Sequence, residues 1–285
     1  MITILDGGMG QELMARTSAA PTPLWSTRVM LNEPELVRAV HDDFFAAGAM
    51  VATTNTYAIH HDRLIPAGLD DQFETLHRTG CEIACAARDA AGHGKVAGAI
   101  GPLIGSYRTG PLPGDAVARF DEICRLQAPH VDLFLIETVS AIDQLRATVA
   151  ATSGHGKPVW LAVSVADHDG TKLRSGEPLE DVMDWMGGVD ALLINCTTPE
   201  AVTTAVDVIK GIDMPFGAYA NGFTEISESF VQVGATVRAL SARTDLTPAA
   251  YAAFAEAWAK MGATIIGGCC EVGPAHIAEV ARRLT

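Results

Sequence analysis

The sequence predicts an α/β fold consisting of a single (β/α)8 barrel of the TIM type. Eight short apolar runs recur along the chain, and helix-like segments lie between them. Nearly continuous apolar strands that alternate with helices are typical of a parallel sheet covered by helices. Eight repeats favour closure into a barrel, and an open doubly wound sheet is the structural alternative.

The predicted elements follow from these runs in chain order. The strands are Ile2–Leu5, Met50–Thr53, Lys95–Ile100, Leu133–Ile136, Val159–Val165, Ala191–Ile194, Phe216–Tyr219 and Thr264–Ile266. The helices are Pro34–Ala47, Asp70–Ala91, Gly114–Gln127, Ala141–Ala151, Leu179–Met186, Glu200–Lys210 and Pro248–Met261. The last helix has a clear start, because Thr247 is a good N-cap and proline is favoured at the first helical position.

The chain organisation favours one domain over residues 1–285, because no low-complexity tract or Pro/Ser-rich linker divides it. One connection, from Ala220 to Thr247, is unusually long. Long connections in compact domains tend to be functional loops or lids, or to contain a helix. The sequence does not decide between these possibilities for this segment.

Composition excludes several classes of protein. There are 34 acidic and 20 basic side chains, giving a net charge of −14, which argues against a nucleic-acid-binding surface. With 48% hydrophobic residues the chain can bury a large core. The N-terminus has neither the early basic residue nor the apolar stretch of a secretion signal. No apolar run approaches the roughly 20 residues that are needed to span a bilayer. We therefore expect a cytoplasmic protein with no membrane partner.

Polar residues cluster at the C-terminal ends of the predicted strands. In barrel enzymes that rim carries the active site, so residues distant in sequence are expected to converge there. The segments are Asp6-Gly7-Gly8, Thr54-Asn55-Thr56-Tyr57, Gly101-Pro102, Glu137-Thr138, Asn195-Cys196, Asn221-Gly222 and Gly267-Gly268-Cys269-Cys270.

Three cysteines lie on this rim. Cys196 follows the sixth strand, and Cys269 and Cys270 follow the eighth. Neighbouring residues on a regular strand face opposite sides, so the vicinal pair can share a ligand only where glycines let the backbone leave strand geometry. Three thiolates suit Zn²⁺ and leave a fourth position open for substrate or solvent. The structural alternative is that these cysteines fill the core.

The remaining three cysteines are expected to be packing residues. Cys81 and Cys85 lie four residues apart on one predicted helix, and Cys124 lies on another. Helix faces behind a barrel are packing surfaces, so no metal or catalytic role is predicted for them.

The chain resembles the homocysteine S-methyltransferase family through a series of motifs. These are LDGGMGQEL, TNTY, FLIET, INCTTP and IIGGCC followed by PAHI, and the match runs from residue 4 to about residue 277. The resemblance implies a zinc-dependent (β/α)8 barrel in which Cys196, Cys269 and Cys270 are the zinc ligands. It implies a methyltransferase that converts homocysteine to methionine.

The resemblance also implies roles for four substrate-binding residues. Asp6 and Gly7 match the motif that helps hold the amino acid, Thr54 matches a substrate-contacting position, and Glu137 matches the acid that receives the substrate ammonium. From the residues alone, Asp6 can be a turn former, Thr54 a strand-end cap and Glu137 a structural ion-pair partner. The chain departs from betaine-type members at Thr138, where they carry a tyrosine.

The expected partners are therefore small molecules, homocysteine and a methyl donor. S-Methylmethionine or another sulfonium is placed first, betaine second and folate last, because the chain ends shortly after IIGGCCEVGPAHI and lacks the appended parts of betaine- and cobalamin-dependent relatives. A selenol or related thiol can replace homocysteine as acceptor. The alternatives are a zinc-dependent hydrolase and a non-catalytic thiol or metal-binding protein.

Overall fold

The computed structural model describes residues 1–18, 24, 26–227, 229–231 and 240–285. Its main sheet has eight strands in the order β1, β10, β9, β8, β5, β4, β3, β2, and every pair in this sheet is parallel. The strands are β1 Thr3–Ile4, β2 Val51–Thr53, β3 Lys95–Ile100, β4 Leu133–Val139, β5 Val159–Val163, β8 Ala191–Asn195, β9 Phe216–Tyr219 and β10 Ile265–Ile266.

The two edges of this sheet meet. Leu5 forms a parallel bridge with Val51 beside β1 and β2, and Met50 N donates to Ile4 O at 2.7 Å. The sheet therefore closes into the predicted (β/α)8 barrel, and the open doubly wound alternative is excluded.

Helices surround the barrel. They are α1 Met9–Arg16, α2 Ser26–Asn32, α3 Pro34–Ala46, α4 His61–Leu64, α5 Phe73–Ala91, α6 Ala116–Gln127, α7 Ile142–Thr152, α8 Pro199–Ile209, α9 Pro248–Lys260 and α10 Pro274–Leu284. The predicted N-cap of α9 is confirmed, because the Thr247 side chain accepts a hydrogen bond from Ala250 N at 3.2 Å. Helices α1, α2, α4 and α10 are additions to the sequence prediction.

Two predicted elements are corrected. The run Val159–Val165 was expected to be one strand, but β5 ends at Val163 and a separate antiparallel hairpin follows, made of β6 Val165–Ala166 and β7 Asp169–Leu173. The buried Ser164 lies between β5 and β6. Because the residues on both sides of it are apolar, the sequence does not reveal that the first strand ends there. The predicted helix Leu179–Met186 is instead a 3-10 helix, Leu179–Trp185.

Alternation along the strands separates two apolar layers. Leu133 and Leu135 of β4 pack inside the barrel, whereas Phe134 and Ile136 pack outward in the layer between sheet and helices. The inward set includes Leu5 and Val51. Because the side-chain period of a strand is two, this register decides which residues reach the barrel mouth.

Among the residues that the structure describes, no helix combines the length and apolar character needed to cross a membrane. Within the long connection at residues 220–247, residues 228 and 232–239 are not among the described residues.

Candidate active site

One pocket opens at the C-terminal ends of the barrel strands. All seven residues predicted for the site line it, namely Asp6, Gly7, Thr54, Glu137, Cys196, Cys269 and Cys270. The rim predicted from the strand ends is therefore a single concave site.

The three rim cysteines form a cluster. The Sγ atoms of Cys196, Cys269 and Cys270 lie within 4.8 Å of one another. All three are predicted from the sequence to be thiols, whereas the structure joins Cys196 and Cys269 as a disulfide and leaves Cys270 free. The Sγ atoms of Cys196 and Cys270 are 3.8 Å apart.

Local backbone departures bring these sulfurs together. Cys196 adopts a left-handed conformation with φ of 52°, which is uncommon for a residue other than glycine. On the other side, a Cβ on Gly267 would overlap Leu5, and one on Gly268 would overlap Val272. The glycine pair before Cys269 thus allows the close approach that the sequence analysis anticipated.

Cys81, Cys85 and Cys124 behave as the packing residues that were expected. Cys81 and Cys124 are fully buried in the layer between sheet and helices, and burial raises the pKa of each thiol to about 12. The Cys85 thiol donates to His130 O at 3.1 Å.

Two carboxyl groups, those of the buried Asp6 and the partly buried Glu137, face the pocket, and neither forms an ion pair with any described residue. Asp6 accepts hydrogen bonds from Thr53 N at 2.7 Å and from Thr53 Oγ1 at 2.8 Å. Glu137 accepts one from the Tyr219 hydroxyl at 3.1 Å. Among the described residues, no cation contributes to the pKa shift of either acid.

Burial dominates the acidity of both groups. It raises the pKa of Asp6 to about 7, although the bonds from Thr53 oppose the shift. It raises the pKa of Glu137 to about 8, and the nearby Asp6 carboxylate adds to this rise. An anion shielded from water without a cation is costly, so both acids favour their protonated forms, and a cation entering the pocket would favour their ionisation.

Strand register explains how Glu137 reaches the pocket, whereas Asp6 comes one residue after the inward-facing Leu5 and reaches the pocket from the loop that follows β1. Glu137 continues the inward series of Leu133 and Leu135, and Thr53 continues that of Val51. Thr54 has the opposite parity, and its hydroxyl is already engaged with Thr56 Oγ1 at 2.7 Å and Ala99 N at 2.9 Å. Thr53 was missed in the sequence analysis, although counting by two from Val51 identifies it.

Gly7 lies where two loops approach closely. A Cβ at this position would overlap the carbonyl oxygen of Val272, and the next residue, Gly8, donates its N–H to the same oxygen at 2.9 Å. Only glycine fits here, so the loop after β1 packs directly on the loop that carries Cys269 and Cys270.

Tyr107 is a further site residue that sequence reasoning missed. Its hydroxyl lies 3.0 Å from Cys196 Sγ, and its ring packs on Phe230 with centroids 5.9 Å apart. It belongs to the connection between β3 and α6, where no periodicity or strand end marks a functional position.

The family model for homocysteine S-methyltransferase matches residues 3–284 of this chain. The chain belongs to the homocysteine S-methyltransferase family. It is 31% identical to a homocysteine S-methyltransferase of Escherichia coli, over 99% of this chain and 95% of that protein.

Solved structures of the family share the whole fold. The metallated form of the homocysteine methyltransferase MmuM from Escherichia coli is 30% identical, with a TM-score of 0.79 over 99% of this chain and 96% of that chain. An oxidized form of the same protein gives a TM-score of 0.82 with the same identity and coverage. The family resemblance predicted from the motifs is thereby confirmed, and homocysteine S-methyltransferases are enzymes that act on small molecules.

The thiol cluster fits a metal. Thiolates bound to Zn²⁺ at about 2.3 Å in a tetrahedron lie about 3.8 Å from one another. The separation of 3.8 Å between Cys196 and Cys270 has this value without any rearrangement. Reduction of the bond between Cys196 and Cys269 would free the third sulfur, so the three thiols together fit the donor set of a metal ion.

Proposed function

We propose that this protein is a zinc-dependent homocysteine S-methyltransferase that takes a methyl group from a sulfonium donor, with S-methylmethionine favoured, and forms methionine. Residues 1–285 would form one homocysteine-binding barrel domain. The observation that carries the proposal is the pairing, in one pocket, of three sulfurs with two carboxyl groups that no described cation neutralises. Homocysteine supplies both complements, a thiol for the metal and an ammonium for the acids.

Cys196, Cys269 and Cys270 would hold the zinc. Bound there, Zn²⁺ would lower the pKa of the homocysteine thiol from about 8.5 and keep it as a thiolate, the nucleophilic form. The open fourth position provides room for this substrate sulfur. Because the three ligands must be reduced thiolates, a reducing cytoplasm is the compartment in which such a site works.

Glu137 and Asp6 would bind the substrate ammonium. An ammonium in the pocket favours the ionised form of both acids, which burial otherwise disfavours. Tyr219 fixes one Glu137 oxygen and Thr53 fixes both oxygens of Asp6, so the acceptors are oriented before substrate arrives. Gly7 and the backbone at Thr54 would complete this wall, since both residues line the pocket.

Charge favours a cationic donor. A Zn²⁺ ion with three thiolates carries a net charge of −1, and a bound substrate thiolate makes it −2. A sulfonium leaves as a neutral thioether after in-line transfer, so the pocket needs no general acid for the leaving group. Betaine, a quaternary ammonium, ranks second because its leaving amine is poorer, and folate ranks last because its nitrogen must first be protonated.

The alternative functions use less of this pocket. A hydrolase needs a Lewis-acidic metal, and three thiolates make zinc electron-rich. A non-catalytic metal-binding protein has no use for Asp6 and Glu137 in the same cavity. Both alternatives leave the buried carboxyl groups without a role.

A donor panel tests the proposal. Reduced, zinc-loaded protein is incubated with homocysteine and S-methylmethionine, S-adenosylmethionine, betaine or methyltetrahydrofolate, and methionine is measured. We expect methionine from the sulfonium donors at the highest rate. Methionine from betaine alone would reverse the donor ranking, and absence of methionine with every donor would refute the methyltransferase assignment.

A further inference from the structure

Tyr107 has an unusual setting beside the thiol cluster. Its hydroxyl is buried, 3.0 Å from Cys196 Sγ, and its backbone is left-handed with φ of 65°. Such a conformation is uncommon for an aromatic residue and persists only where the surroundings impose it. The surroundings of Tyr107 therefore fix its phenol at the sulfur.

The residue that holds Tyr107 is Arg174, which follows the β6–β7 hairpin. Its guanidinium carbon lies 4.6 Å from the centroid of the Tyr107 ring. The same guanidinium pairs with both oxygens of Asp167, at 2.8 and 3.2 Å, and its Nε donates to Ser164 Oγ at 2.8 Å. The Arg174 and Asp167 side chains are only 10% and 5% exposed, so this ion pair is largely shielded from solvent, which strengthens its hydrogen bonds.

The ion pair also holds the chain next to Cys196. Asp167 Oδ1 accepts a hydrogen bond from the Thr197 hydroxyl at 2.6 Å, and its Oδ2 accepts one from Ile226 N at 2.9 Å. One buried ion pair thus fixes both the phenol of Tyr107 and the residue that follows Cys196. The Arg174–Asp167 ion pair therefore supports both sides of the contact between the Tyr107 hydroxyl and Cys196 Sγ.

We propose that Tyr107 is a positioning residue that donates an O–H···S hydrogen bond to the Cys196 thiolate of the reduced, metal-bound centre. This inference rests on the proposed function and deepens it. A thiolate carries no proton, so the phenol must be the donor in this pair. An ordinary phenol, with a pKa of about 10, keeps its proton near neutral pH and can donate it.

The hydrogen bond would tune the affinity for the substrate. It draws electron density from one of three thiolates, so the metal keeps more positive charge with which to bind a fourth, anionic sulfur. Loss of the bond would therefore weaken homocysteine binding. The methyl transfer step would not slow, because the bound sulfur would become slightly richer in electrons.

The test compares two variants that each lose one phenolic hydroxyl from the same pocket. Tyr107→Phe removes the group on sulfur and keeps the ring beneath Arg174. Tyr57→Phe is the matched control, because its hydroxyl contacts Ser106 Oγ at 2.7 Å and not a cysteine. Reduced proteins are loaded with Co²⁺, whose sulfur-to-cobalt charge-transfer band is recorded without homocysteine, and kcat and KM are measured on the zinc forms.

We expect the charge-transfer band of Tyr107→Phe to move to longer wavelength, with no shift in Tyr57→Phe. The homocysteine KM of Tyr107→Phe should rise about fivefold with kcat within about twofold of the parent. Arg174→Gln, which keeps the phenol but removes its support, should shift the band in the same direction by less.

Three results would overturn the inference. They are an unshifted band in Tyr107→Phe, an equal shift in Tyr57→Phe, or a phenolate-to-cobalt band in the parent that disappears in Tyr107→Phe, which would make the tyrosine a ligand. Failure of the proposed function looks different, because the parent protein would then take up no metal at the cysteines or form no methionine.

Discussion

The thiol side and the carboxylate side of the pocket are built differently. Glu137 has the inward parity of Leu133 and Leu135 on β4, and the pairing of β4 with β5 becomes irregular directly around it. Cys196 lies just beyond β8 with a left-handed backbone, and Cys269 lies beyond β10 after a glycine pair that has no room for side chains. The proposed substrate-binding acid Glu137 therefore lies within its strand, whereas the proposed metal ligands lie past the ends of theirs.

The largest effect is expected on the thiol side. Cys269→Ala should lose the metal and abolish methyl transfer, because a free thiol with a pKa of about 8.5 is only about 3% ionised at pH 7 and is no longer held for attack. Metal content by mass spectrometry and methionine formation measure both losses.

Cys85→Ala is the matched control for this prediction. Unlike Cys269, Cys85 forms no disulfide; it lies on α5 and its thiol contacts His130 O rather than the pocket. It should keep both metal and activity. Full metal occupancy in Cys269→Ala, or metal loss in Cys85→Ala, would show that the metal binds to other cysteines.

A second prediction separates the two sides. Glu137→Gln keeps the shape of the side chain and removes its charge, so homocysteine should bind more weakly by about 1.5–3 kcal/mol while the metal stays bound. Calorimetric titration with homocysteine and a metal assay on the same sample decide this. Unchanged homocysteine affinity would refute the ammonium-binding role, and loss of metal would show that the two sides are not independent.

The third prediction concerns folding stability. Burial raises the pKa of Glu137 to about 8, above its unfolded value of 4.5, so the native state binds the proton more tightly than the unfolded state. The stability that this proton provides is complete below pH 4.5 and is lost as pH rises toward 8. Asp6, with its pKa raised to about 7, adds to the same loss.

Glu137→Gln should remove this cost. In urea unfolding without ligand, the variant is expected to be more stable than the parent by about 4 kcal/mol at pH 8 and nearly equal at pH 4.5. Cys85→Ala, which leaves both acids in place, should show the pH dependence of the parent. A constant difference between the Glu137 variant and the parent at the two pH values would contradict the linkage.

The sequence predicts the parts of this molecule that follow a period or a motif. The barrel follows from the alternation of strands and helices, and Glu137 and the three rim cysteines follow from their positions after predicted strands and from the family motifs. The family motif points to Thr54, whereas it is Thr53 that has the inward parity of its strand. A motif identifies positions in the sequence but does not say which side of the strand each residue faces. Tyr107 and the Arg174–Asp167 pair were beyond prediction, since long-range packing alone brings their loops to Cys196.

The barrel closes at its weakest point beside Asp6. There β1 and β2 are joined by a single bridge, Leu5 to Val51, and by the bonds from Met50 N to Ile4 O and from Asp6 N to Val51 O. The Asp6 carboxylate crosses the same seam to Thr53. The amide hydrogens of Met50 and Asp6 should thus exchange with solvent sooner than those within β4, since local opening begins where backbone pairing is sparse. An amino acid bound between Asp6 and Glu137 would link the junction of β1 and β2 to β4. Its binding should therefore slow the exchange of the Met50 and Asp6 amide hydrogens at the place where the barrel closes.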